Sequence, residues 1–211
     1  GDEVRRGIVD DVVEIARLAK GLAARMVAIS TDQVFDGKKN IGQPERALYT
    51  EEDPMSPTNP YADYKVDMEK QLQQVGGNLT ICRTSLILTL EPIGKGIRFV
   101  VDSIRGGKEI VLFTDELRNM TFSDDLGAAL VELAAHPEPA GVLHLVADEV
   151  TNRYELSLLL AKKLDLADSA VKAGLSAESG MNRPLDLSMD TTKVKNILKT
   201  TKLRGVTERL T

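Results

Sequence analysis

Cysteine occurs once in the 211 residues, tryptophan not at all, and aromatic side chains make up only 4% of the chain. The single thiol, Cys82, excludes an intrachain disulfide framework. It lies in the apolar run LTICRTSLIL and reads as a buried packing residue. With so few rings, the core of a chain that is 42% hydrophobic must be built from Leu, Ile, Val and Ala. No stretch approaches the ~18 apolar residues of a membrane span, and no signal-peptide pattern opens the sequence. The formal charge of −5 argues against counterion-releasing contact with nucleic acid, which needs clustered Lys and Arg. His136, His144 and the carboxylates show no metal-ligand spacing, and Asp124-Asp125 suits the positive end of a helix. The expectation is a soluble, cytoplasmic protein with no metal, no membrane and no nucleic-acid partner. Missing too is any G-x-G-x-x-G turn, the pyrophosphate cradle that opens a dinucleotide-binding fold.

What is present is an alternation of helices and apolar strands, the α/β pattern. IVDDVVEIARLAKGLAA reads as an amphipathic helix with Ile8, Val12, Ile15, Ala16 and Ala19 on one face. The strand RMVAIS follows. Residues 31–60 lack periodicity and carry Gly37, Gly42, Pro44, Pro54, Pro57 and Pro60, so they form a long loop of the kind that is often functional. Thr58 or Asn59 can cap the next helix, with Pro60 in its first turn. LTICRTSLIL has no clear alternation, as expected of a strand covered on both faces. Further on, GIRFVVDSIRGG is a helix, EIVLF a strand, SDDLGAALVELAAH a helix capped by Ser123, and GVLHLV a strand. TNRYELSLLLAKKL is a helix capped by Thr151 or Asn152, DLSM a possible short strand, and DTTKVKNIL a helix capped by Asp190.

Tyr61 and Lys65 lie one helical turn apart and share a face. Chance alone supplies such a pair about one time in four in this composition, so their neighbours decide its meaning. In order along the chain come STDQVFDG, YTEEDPMSPTNPYADYK, RTSLI, LFTDELRNMTFSDDLGAAL, NRYELS and RPLDLSMD. Together these resemble the extended short-chain dehydrogenase/reductase superfamily, and within it the dTDP-4-dehydrorhamnose reductase group of sugar-nucleotide reductases. The likeness covers most of residues 8–210.

The resemblance implies a Rossmann-like doubly wound parallel sheet, lacking its N-terminal strands, with a smaller interleaved C-terminal substrate-binding lobe. Residues 1–87 would be the remaining part of the nucleotide-binding domain, and 88–211 mainly the substrate lobe with returning Rossmann elements. It implies a catalytic set of Thr31, Tyr61 and Lys65. Tyr61 would be the general acid, Lys65 the cation that lowers its pKa and holds the nicotinamide ribose, and Thr31 a hydrogen-bond partner of the substrate oxygen. Ser30, Tyr61, Lys65, Arg83, Thr84 and Ser85 would meet NAD or NADP. Thr31, Asp32, Arg118 and Arg183 would meet a keto-sugar nucleotide. Tyr64 is expected to pack, and Arg153 and Tyr154 to anchor a helix start. A homodimer is expected by analogy.

The family's front is not in this sequence; two βα units would take roughly 60 residues or more. A fragment, a chain whose front is not part of the sequence, and a truncated homologue all fit. Ile8 stands where the family usually has asparagine, Leu88-Thr89 where it has tyrosine and glycine, and Met120 where proline is common. These departures bear on catalysis rather than on fold. Three readings follow: a nicotinamide-dependent reductase of a keto-sugar nucleotide, a non-catalytic sugar-nucleotide-binding or regulatory subunit on the same scaffold, or an α/β fragment inactive by itself.

Overall fold

The computed structural model describes residues 1–211 except 44, 137, 139–140 and 181–182; Pro44 of the long loop lies outside the described residues. The chain opens with helix α1 (Asp2–Arg5), passes through a π turn (Arg6–Asp10) and continues as α2 (Asp11–Gly21). Val9, Val13 and Ala16 are the residues this helical stretch buries. Ile15, expected on the core face, is exposed. The π turn inserts an extra residue into the helical repeat and the buried stripe falls one position off the expected one.

Strand β1 (Met26–Thr31) pairs in parallel with β2 (Leu79–Thr84), and β2 with β6 (Gly141–His144). The crossover between β1 and β2 is α3 (Pro60–Val75), which starts where the sequence requires: Asn59 Oδ1 accepts the Ala62 amide at 3.0 Å and Pro60 occupies the first turn. Gly76, at φ +62°, ends it. On one face of the sheet, α2 and α3 pack through Val13, Met68 and Leu72 against Ala28 and Ile81. On the other, α5 (Ser123–Ala135) and α7 (Thr192–Ile197) pack through Leu126, Leu133 and Val194 against Cys82 and Leu143. Both faces being covered explains why β2, buried at every position, shows no alternation.

Two short parallel pairs complete the strands: β3 (Ile87–Leu88) with β5 (Thr121–Phe122), and β4 (Ile110–Phe113) with β7 (Val171–Gly174). Helices α4 (Lys95–Arg105), α6 (Arg153–Lys163) and α8 (Val206–Leu210) close over them. Asn152 caps α6 by accepting the Glu155 amide. Ser123 does not cap α5: it lies inside the first turn, and its hydroxyl accepts from Thr89. The segment DLSM forms only isolated bridges, Leu117 with Asp186 and Tyr49 with Met189. Asp190 precedes α7 and accepts the Thr192 amide. No helix among the described residues is long and apolar enough to cross a membrane.

Candidate active site

At the carboxyl ends of β1 and β2 the chain leaves a cleft of about 540 Å³. Open parallel sheets bind ligands beyond this edge. Ser30 and Thr31 reach it from β1, Thr84 from the end of β2, Ser85 from just beyond it, and Tyr61 from the first turn of α3. Arg118, Arg153 and Arg183 close the far side.

Asp32 is the hub. It is only 4% exposed, and it accepts the Thr31 hydroxyl at 3.1 Å and the Ser85 hydroxyl at 2.6 Å. Arg118 Nε lies 3.7 Å from the same oxygen that Ser85 holds. Burial pushes the Asp32 carboxyl above the usual range, while the Arg118 charge and the two hydroxyls hold it back. Arg118 itself is fixed by carbonyls: Nη1 donates to Leu117 and Leu185 and Nη2 to Pro184, at 2.7–2.9 Å. Its side chain is a strut between the cleft floor and the segment that carries Arg183.

Tyr61 and Thr31 stand together at the rim. Burial raises the Tyr61 phenol, Asp32 adds to the rise, and the Thr31 hydroxyl pulls the other way. The expected lowering by Lys65 is not among these influences. Lys65 Nζ instead donates to the Ile29 carbonyl of β1 at 2.9 Å, and burial lowers its own pKa. One turn of spacing puts the two residues on the same helix face, but the strand edge claims the ammonium.

Arg83 departs from its expected place as well. Its guanidinium turns away from the cleft, is 2% exposed, and grips Glu69 with three hydrogen bonds of 2.8–3.2 Å. It also donates to the Glu51 carbonyl and lies 5.1 Å from the Phe35 ring centroid. Alternation along β2 sends Arg83 and Thr84 to opposite faces of the sheet, and Arg83 goes to the face covered by α3, where Glu69 holds it. Thr84 spends its hydroxyl on the Ser30 carbonyl at 3.1 Å. Ser30 Oγ is buried with no hydrogen-bond partner among the described residues.

A second hollow of about 360 Å³ opens from the first. Arg153, Arg183 and Glu116 line both, and Phe99 and Val111 form its exposed apolar wall. Glu116 is buried and holds Arg183 through contacts of 2.7 and 2.9 Å while accepting from Ser176. Arg153 begins α6, as expected, yet also faces the cavity, donating to the Gly96 carbonyl at 3.3 Å. Glu116 and Arg153 were not legible as cleft residues. Both sit in polar, charged surroundings (DELRNM and NRYELS) that are common on solvated surfaces. Among the described residues no cluster suited to a metal ion occurs.

A doubly covered parallel sheet with a polar cleft at its carboxyl edge defines the class: a Rossmann-like α/β protein. The family model for the RmlD substrate binding domain matches residues 8–210, and the chain belongs to that family. It is similar to the dTDP-4-dehydrorhamnose reductase of Escherichia coli strain K12, at 30% identity over 171 residues, covering 78% of this chain and 52% of the relative. It is also similar to rat methionine adenosyltransferase 2 subunit beta, at 24% identity over 196 residues, covering 87% and 55%. In fold it matches the Bacillus anthracis dTDP-4-dehydrorhamnose reductase solved in complex with NADP, with a TM-score of 0.81, 19% identity, and coverage of 96% of this chain and 69% of that one. The chain spans about half the length of the curated relatives it matches.

Proposed function

We propose that this chain is the catalytic part of a nicotinamide-dependent reductase of a keto-sugar nucleotide. The observation that carries the reading is Thr31 and Tyr61 side by side on the cleft rim, with Lys65 one turn below. NAD or NADP would supply hydride to the keto carbon. The residues fit the nicotinamide-ribose half of such a cofactor: Ile29 and Ile87 are large apolar side chains left exposed at the cleft, and Ser30 Oγ is an unused hydroxyl there.

The chain's own part is proton supply and orientation. A phenol raised by burial and by Asp32 stays protonated, which is the form that donates to an oxygen gaining charge. Thr31 stands beside Tyr61, and its hydroxyl, which donates to Asp32 in this structure, would turn from Asp32 to donate to the same oxygen. Lys65 stands at the strand edge for the ribose hydroxyls. Arg153 and Arg183 match a diphosphate in charge and fork geometry, and Phe99 with Val111 offers an apolar wall for a base.

The test is oxidation of NADH and NADPH by the intact gene product with dTDP-4-keto-6-deoxy sugars. Turnover is expected, and Tyr61→Phe should lower it on the order of 10²- to 10⁴-fold without changing the circular dichroism. A second reading, a regulatory subunit, draws on the similarity to the rat subunit. A stoichiometric co-purifying partner together with no nicotinamide oxidation by any keto-sugar nucleotide would replace the first reading with the second.

A further inference from the structure

Gln33 follows Thr31 and Asp32 in the short turn after β1, and its half-buried side chain lines the cleft. Its backbone amide donates to Thr31 Oγ1 at 3.2 Å, which sets the residue beside the rim pair of Thr31 and Tyr61. The two ends of its side-chain amide differ in chemistry, and a run of hydrogen bonds decides which end the cleft meets. The Ala62 amide can only donate, so the Asn59 atom that caps α3 is the carbonyl Oδ1. Asn59 then presents Nδ2 and donates to Gln33 Oε1 at 3.0 Å. That leaves Gln33 Nε2, with two N–H groups, as the end without a partner among the described residues.

At the same end of the cleft the Thr31 and Ser85 hydroxyls donate to Asp32, and the Thr84 hydroxyl donates to the Ser30 carbonyl. Gln33 is different: its donor is held in place by a helix cap and is not spent on the protein. A fixed donor selects an oxygen acceptor. It rejects a ligand with nothing at that point, and also an ammonium group, which has only donors to offer. With the keto oxygen at Tyr61 and Thr31, the neighbouring substrate atom is the oxygen on the ring carbon beside the carbonyl.

We propose that Gln33 is a specificity-determining residue, its Nε2 donating to the sugar hydroxyl next to the keto carbon, and that Asn59 is the positioning residue that keeps the amide in its donating orientation. The proposal rests on the reductase reading.

The test compares kcat/KM for three dTDP-4-keto-6-deoxy sugars, which carry a hydroxyl, a hydrogen or an amine on the carbon beside the carbonyl. The unaltered protein should favour the hydroxyl sugar over the deoxy sugar by about 10- to 100-fold and gain nothing from the amine. Gln33→Leu should bring the hydroxyl preference to within about 3-fold, with an unchanged circular dichroism spectrum. Asn59→Asp keeps the α3 cap, but the new carboxylate has no N–H to give. Gln33 should turn its amide over, donate to that carboxylate and present Oε1 to the cleft. The amine sugar should then gain about 10-fold over the deoxy sugar. Adding Gln33→Leu should abolish this gain, because it acts through the amide and not through the added charge. Turnover of none of the three sugars by the unaltered protein would overturn the reductase reading and this proposal with it. Turnover without a hydroxyl preference, or a preference that Gln33→Leu leaves intact, would overturn the proposal alone. An amine gain that persists in the double variant would overturn the positioning role of Asn59.

Discussion

His144 stands at the end of β6 with no exposed surface. Its Nδ1 faces the Asp190 carbonyl at 3.2 Å, and a carbonyl can only accept, so the proton sits on Nδ1. Nε2 then has no partner among the described residues. Burial lowers the imidazole to about 4, the Arg83 charge adds to the lowering, and the Asp190 carbonyl, Glu69 and Asp190 oppose it. The folded state therefore holds a neutral ring where the unfolded chain, with an ordinary value of 6.5, takes up a proton. The stability this gives is full above the unfolded value and is lost as pH falls from about 6.5 toward about 4. Urea titrations should show unfolding free energy dropping by up to about 1.4 kcal/mol per pH unit from pH 6.5 to about 5, before most carboxylates titrate. His144→Asn keeps a donor for the Asp190 carbonyl without the titrating ring and should flatten that slope. An unchanged slope would assign it to other groups.

The same neighbourhood shows why a residue's chemistry misleads when its direction is unknown. Arg83 lies near the carboxyl end of β2 and precedes two cleft residues, so its position along the chain is right for a ligand contact. Its direction is set by the pleat, which sends it to Glu69 and Phe35. A buried pair like this is costly to break from one side, about 3–5 kcal/mol, because the survivor keeps an uncompensated charge. Lys65 is the converse case: the helix face was legible, but the competing carbonyl of Ile29 lies 36 residues away in sequence and left no local trace.

Among elements, α3 is the one whose sequence and structure agree most fully. Asn59, Pro60 and the closing glycines mark its two ends, and these are local signals. Elements defined by long-range contacts were harder to read. DLSM has strand-like alternation but meets its partners one residue at a time. The π turn before α2 displaced the buried stripe from the one the 3.6-residue repeat gives. Because the Asn59 cap also donates to Gln33 Oε1 at 3.0 Å, it ties the helix bearing Tyr61 to the turn after Thr31. Asn59→Ala should cost about 1 kcal/mol in urea unfolding, the usual value of a lost cap. Asn59→Asp keeps the acceptor and should recover most of that loss. A loss of equal size in both variants would move the effect from the cap to the Gln33 contact.

Over the whole molecule, one contact joins the floor of the cleft to its far wall. Asp32 follows β1 of the main sheet, whereas Arg118 lies in the segment between β4 and β5 and pairs through its backbone with Thr151 ahead of α6. The Arg118 fork holds the carbonyls of Pro184 and Leu185, and those residues precede α7, which returns to the main sheet. The arginine thus links three stretches at the cleft. Arg118→Met removes the fork and leaves Asp32 buried beside two hydroxyls with no cation, so its carboxyl should rise further and take up a proton more readily. The variant should unfold at lower urea, by about 1–3 kcal/mol, and the KM for a keto-sugar nucleotide should rise more than kcat falls. Asp32→Asn alone should leave Arg118 on its carbonyls and cost less. If the two sites are coupled as their geometry requires, the double variant loses less than the sum of the singles, by about 0.5–3 kcal/mol. Strict additivity would mean that Arg118 supports the 184–185 segment alone, and that the two sides of the cleft are not held together through Asp32.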